Sequence, residues 1–174
     1  MGWQWGGGWL AELGFSDFAG STLVHSTGGA AALAGIMLLG ARSGRFDSKG
    51  QPKALQPFAA SSIPLVTIGV FILWLGWFGF NGGSQLALGT FDDAVAISSI
   101  FINTNLAACG GVMAAGIITR LMYGKTDVIQ MLNGAIGGLV AITAEPLAPS
   151  PFAAILIGAV GGLIVVFGTK LLFS

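Results

Sequence analysis

The sequence predicts an all-α, polytopic membrane helix bundle of about five transmembrane helices, and three observations predict it. Only 8 % of the residues are charged and 54 % are hydrophobic, where a soluble domain carries about a quarter charged residues. Apolar runs long enough to cross ~30 Å of hydrocarbon recur along the chain, and the charged residues fall at their ends or between them. The chain also holds 29 glycines, a residue common where membrane helices pack backbone to backbone. The formal net charge is zero, so no basic patch points to nucleic acid. The single cysteine, Cys109, lies in an apolar run and reads as a buried, inert thiol. The spans hold no paired carboxylates, no metal-ligating cluster and no nucleophile beside a base, so neither an enzyme nor a cofactor or metal site is expected.

Residues 1–16 are expected to form an interfacial or re-entrant piece. Trp3, Trp5 and Trp9 surround Gly6, Gly7 and Gly8; tryptophan favours the membrane–water boundary, and three adjacent glycines oppose a stable helix. No lysine follows in a phosphate-loop pattern. Nor does the start have the basic region and cleavage site of a signal peptide, as expected if the helices target themselves or if the true start lies upstream.

The first span, 17–41, opens with Asp17 and carries the chain's only histidine, His25, with no charge between Asp17 and Arg42. His25 is eight residues past Asp17, roughly 12 Å along a helix, near the middle of the hydrocarbon layer. An imidazole there must face protein or water rather than lipid. Its own face is small: Ser21, Gly28, Gly29 and Ala32. A satisfied bundle histidine and a pore histidine are both consistent with that pattern.

The second span, 58–84, carries Leu73, Trp77, Phe80 and Ser84 four, three and four residues apart. They share one helical face with the aromatics in the middle and a hydroxyl at one end. Core packing is the common use of such a stripe. The third span, 94–119, places Asn103, Thr104 and Asn105 at membrane depth, where amides and hydroxyls usually hydrogen-bond between helices. The fourth and fifth spans, 128–144 and 152–170, carry GAIGGLV and GAVGGLI, whose four-residue glycine spacing favours tight crossing. AEPLAPSP between them cannot continue a helix.

The seven basic residues, Arg42, Arg45, Lys49, Lys53, Arg120, Lys125 and Lys170, fall on one side of an alternating topology. The other side holds Glu12, Asp17, Asp92, Asp93 and Glu145. Basic loops stay in the cytoplasm, so 42–57 and 120–127 are expected there, with 85–93 outside.

Four motifs together resemble the ammonium transporter family, whose relatives include the Rhesus glycoproteins, and its bacterial type in particular. They are WGGG at Trp5–Gly8, DFAGSTLVH at Asp17–His25, WFGFNGGS at Trp77–Ser84 and LNGAIGGLVAITA at Leu132–Ala144. The resemblance covers nearly the whole chain but only the middle of the family's length, from just before the fifth span to the ninth. It implies a fragment of a bundle of about eleven helices, built as two inverted halves, that works as a homotrimer in the inner or plasma membrane. It implies transport of ammonium or ammonia, with methylammonium as analogue and a PII-type regulatory protein as a partner. Trp5 and Ser84 match an outer cation-recruitment site, since an indole face attracts a cation. Phe80 matches one of two gate phenylalanines. Trp77, Leu73 and Val24 match apolar pore lining, and His25 matches the first of two pore histidines that pass a proton as ammonia crosses. Asp17 matches the acid that caps the pore helix. Glu145 departs from a commonly small residue. A Rhesus-like gas conduit and a non-conducting ammonium sensor or assembly subunit are the alternatives.

Overall fold

The computed structural model of the chain describes residues 2–46 and 60–173. Most of the basic loop, 47–57, and the first two residues of the second expected span, 58–59, lie outside the described residues. The described regular elements are helices: α1 (Trp9–Glu12), α2 (Ser21–Leu39), α3 (Ile63–Gly83), α4 (Phe91–Tyr123), α5 (Val128–Ile142) and α6 (Pro151–Phe173). Four of these, α2, α3, α4 and α6, are long and apolar enough to cross a membrane. At 15 residues α5 is shorter, about 22 Å at ~1.5 Å per residue. Conversely, α4 runs for 33 residues, about 50 Å, and outreaches the ~30 Å hydrocarbon layer.

The helices start where the sequence supplies caps. Ser62 Oγ accepts from the Leu65 N–H, and Pro64 sits in the first turn of α3. Thr90 and Asp93 form a reciprocal capping box on α4, with Asp92 and Asp93 in its first turn, where acids complement the helix dipole. Asp127 caps α5 through the Gln130 N–H. Ser150 accepts from the Ala153 N–H just before Pro151 begins α6. At its far end α4 stops on Gly124, at φ 73°, a conformation that glycine adopts without strain.

Three of the helices, α4, α5 and α6, make the close-packed centre. A Cβ on Gly158 would run into the Ala107 carbonyl, and one on Gly111 into the Gly134 carbonyl. The glycine rhythms of α5 and α6 are therefore the surfaces on which these backbones cross. Small apolar clusters fill the remaining space, with Ala107, Ile142 and Ala154 in one and Trp77, Ala108 and Leu139 in another. Asn103 clamps the α5–α6 link, its Nδ2 donating to the Pro146 and Pro149 carbonyls at 2.9 and 2.8 Å. Thr104 is fully buried, whereas Asn105 faces out of the described bundle.

By contrast α2 stands at the edge. Thr27–Leu39 has no buried residue. Its first turns, Ser21–Ser26, are wound as a π-helix and are fastened to the end of α5. The Phe18 and Ala19 N–H groups donate to the Ala144 and Thr143 carbonyls at 2.7 and 3.0 Å, and Ser21 Oγ donates to the Val140 carbonyl at 2.5 Å.

Candidate functional site

The site is built around the turn that follows Asp17. Asp17 is 1 % exposed, and its carboxylate accepts from four consecutive backbone N–H groups. Oδ1 takes Gly20 and Ser21 at 3.0 and 2.9 Å, and Oδ2 takes Thr22 and Leu23 at 2.8 Å each. These are the N–H groups a helix start leaves without partners, and a charged acceptor is the strongest answer to them. A buried carboxylate is itself costly unless hydrogen-bonded; here each oxygen takes two bonds. Gly20, at φ 111°, makes the sharp entry. A side chain there would be strained and would collide with Val24.

The π-wound turn sets the imidazole. The Gly20 carbonyl accepts from the His25 backbone N–H at 3.0 Å, five residues on, and His25 Nδ1 lies 3.1 Å from the same oxygen. A carbonyl oxygen only accepts, so this contact is a hydrogen bond when Nδ1 carries a proton. In the neutral ring with that tautomer, Nε2 is the free acceptor. The ring stacks on Trp77 at 5.1 Å between centroids and 10° between planes. Phe80 meets it edge-on at 5.6 Å.

His25, Ile72, Leu73, Gly76, Trp77 and Phe80 line an open groove of about 440 Å³. The stripe of α3 therefore lies opposite the histidine of α2. Apart from the imidazole the named wall is apolar, so a molecule in this groove loses water and meets one titratable group.

The remaining expected site residues lie around this centre. Trp5 is 45 % exposed, and its Nε1–H donates to the Asp17 carbonyl at 2.7 Å, which ties the glycine-rich start to the turn below. Ser84 ends α3 and turns back on its own helix, donating to the Phe80 carbonyl at 2.9 Å. The hydrogen bonds of Trp5 and Ser84 thus go to different parts of the chain. Val24 packs over Gly20 and is not among the groove-lining residues. Glu145 accepts from the Leu147 and Ala148 N–H groups at 3.1 and 3.2 Å, forming the turn that leaves α5. Among the described residues no group of three or more His, Cys, Asp or Glu is placed to hold a metal ion.

Sequence reading did not single out the polar chain behind Trp77. The Trp77 indole N–H donates to Thr143 Oγ1 at 2.9 Å, and Thr143 Oγ1 donates to the Leu139 carbonyl at 2.6 Å. Asn81 Oδ1 lies 3.3 Å from the same hydroxyl, while Asn81 Nδ2 donates to Thr104 Oγ1 at 3.0 Å. All four side chains are buried and join α3 and α4 to the end of α5. The three runs concerned, WFGFN, NTN and ITA, hold the residues, but nothing local pairs them.

Comparison with known proteins agrees on one family. The sequence model of the Ammonium Transporter Family matches residues 1–174. Ammonium transporter Amt2 of Archaeoglobus fulgidus is 45 % identical over 176 aligned residues, which cover 95 % of this chain and 36 % of that protein. The ammonium transporter of Bacillus subtilis is 38 % identical over 166 residues, covering 95 % of this chain and 37 % of that one. Among solved structures, a sensor Amt protein superposes with a TM-score of 0.81 at 38 % identity, covering 92 % of this chain and 38 % of its own. The crystal structure of Candida albicans Mep2 gives 0.80 at 33 % identity, covering 97 % and 36 %. The chain thus spans little more than a third of the length of these relatives. With its helical fold, membrane-length helices and a family match over residues 1–174, the chain belongs to the ammonium transporter family.

Proposed function

We propose that the chain is the pore-building middle of an ammonium channel, with the His25 groove as part of the conduction path. The observation that carries this reading is the placement of one imidazole, anchored at Nδ1 and stacked on Trp77, along an apolar groove. Ammonium is strongly hydrated, and an apolar tube disfavours the cation over neutral ammonia. A nearby imidazole acceptor can take the proton that ammonia leaves behind. In this reading Trp5 and Ser84 recruit the cation at the outer face, Phe80 gates the entrance, and Leu73 and Trp77 line the groove, while Val24, which packs over Gly20, borders the path outside it. Asp17 holds the turn that aims His25. The complete protein is a homotrimer in the cell membrane and takes methylammonium as an analogue. Residues 42–57 and 120–127, which carry six of the seven basic residues, face the cytoplasm, where a PII-type regulator would reach them. Conduction, not catalysis, is the activity.

A sensing subunit is the second reading, favoured by the likeness to a sensor Amt protein. Uptake of radiolabelled methylammonium by cells expressing the complete protein separates the two. Under the channel reading uptake is saturable and His25→Ala abolishes it while the protein still reaches the membrane. Undiminished uptake by His25→Ala removes the imidazole from the path.

A further inference from the structure

We propose that Thr143 is the positioning residue of the His25 groove, fixing the imidazole from two directions at once. The inference rests on the reading of that groove as the conduction path. The first direction is through the hydroxyl. Trp77 is 6 % exposed, and in a helix bundle within lipid its indole N–H must find an acceptor inside the protein. Thr143 Oγ1 is that acceptor, at 2.9 Å. The hydroxyl gives its own proton to the Leu139 carbonyl at 2.6 Å, which leaves its lone pairs for the indole. Trp77 then offers its face to His25 at 10° from parallel.

The second direction is through the backbone. The Thr143 carbonyl accepts from the Ala19 N–H at 3.0 Å, beside the Phe18 N–H to the Ala144 carbonyl at 2.7 Å. These bonds hold the strip between Asp17 and Gly20, and the Gly20 carbonyl anchors His25 Nδ1. One residue at the end of α5 therefore fastens both the ring behind the imidazole and the turn beneath it. Asn81, four residues past Trp77, binds Thr104 on α4 and keeps α3 from rotating away from this arrangement.

Positioning by the hydroxyl is distinguishable from mere packing, because Thr143→Val keeps the shape and removes the acceptor. The experiment uses the complete transporter carrying this segment, in lipid bilayers, with isotope-labelled tryptophan and histidine. Resonances of Trp77 and His25 are assigned by their loss in Trp77→Phe and His25→Ala. In Thr143→Val the Trp77 indole proton should move upfield and the His25 ring resonances should shift with it. Methylammonium uptake should fall roughly fivefold, the factor that one net hydrogen bond carries. Thr143→Ser, which keeps the hydroxyl, should restore both. Thr143→Cys, whose sulfur is a weak acceptor, should fall between them and stands in if the valine variant does not insert. His25 resonances that stay in place while the indole proton moves would overturn the proposal, as would a serine variant that behaves like valine. If His25→Ala leaves uptake intact, the conduction reading falls alone, since the resonance shifts still decide the role of Thr143.

Discussion

His25 lies nearly parallel to Trp77, with ring centroids 5.1 Å apart, although the two residues come from different helices whose backbones do not pack against each other. The stack is possible because α2 does not begin as an ordinary α-helix. The π-wound turn shifts the imidazole back onto the Gly20 carbonyl, and π turns of this kind tend to occur at functional sites. The sequence from Asp17 to His25 is thus a device for aiming one ring.

The Asp17 carboxylate should be the main support of that device. Asp17→Ala leaves four N–H groups without their acceptor. Each buried, unsatisfied group costs about 1–3 kcal/mol, so the turn should open locally. Hydrogen exchange at Gly20–Leu23 should accelerate strongly in Asp17→Ala and less in Asp17→Asn, which retains one carbonyl oxygen. Unchanged protection in the alanine variant would show that the turn is held by its other contacts.

The crossing of α4, α5 and α6 makes a second, graded prediction. Gly158→Ala sets a methyl against the Ala107 carbonyl, whereas a Cβ at Gly29 meets nothing within 4 Å. Overpacking of this kind typically costs about 1–3 kcal/mol. Thermal unfolding of the purified complete protein should show a clear loss for Gly158→Ala and little change for Gly29→Ala in the same detergent. Equal midpoints for the two would mean that the helices cross more loosely than described.

The topology is open to direct labelling. In a Cys109→Ala background, Gly89→Cys should react with an impermeant thiol reagent added to intact cells, and Ser43→Cys should react only after the membrane is opened. The prediction follows from the one-sided placement of all seven basic residues. The reverse pattern of labelling inverts the proposed orientation.

Much of this was legible in the sequence because membrane helices announce themselves by length and charge. The spacing of Leu73, Trp77 and Phe80 put them on one face, and they line one groove. The polar trio at Asn103 split, however. Asn103 binds the proline-rich link and Thr104 binds Asn81, while Asn105, one residue further round, faces out. Helical periodicity separates these residues, but it does not say which neighbours await them. The π winding at Ser21–Ser26 has no signature in the composition of STLVHS itself. The bond from Trp77 to Thr143 joins residues 66 apart, a separation across which periodicity carries no information. Trp5 matched an outer cation site through its indole face, and nothing in the sequence pointed to the bond that its N–H makes with the Asp17 carbonyl, twelve residues on.

If the groove beside His25 conducts, filling it stops transport. Gly76 lines the groove and a Cβ there meets nothing within 4 Å, as is also true of Gly168 on α6, which does not line it. The backbone at position 76 therefore has room for a Cβ, and the rest of a leucine side chain there occupies the groove. Methylammonium uptake by cells expressing equal amounts of the complete protein is the measurement. Uptake should fall to background for Gly76→Leu and stay near the parental rate for Gly168→Leu. Parental uptake by Gly76→Leu would place the conduction path elsewhere.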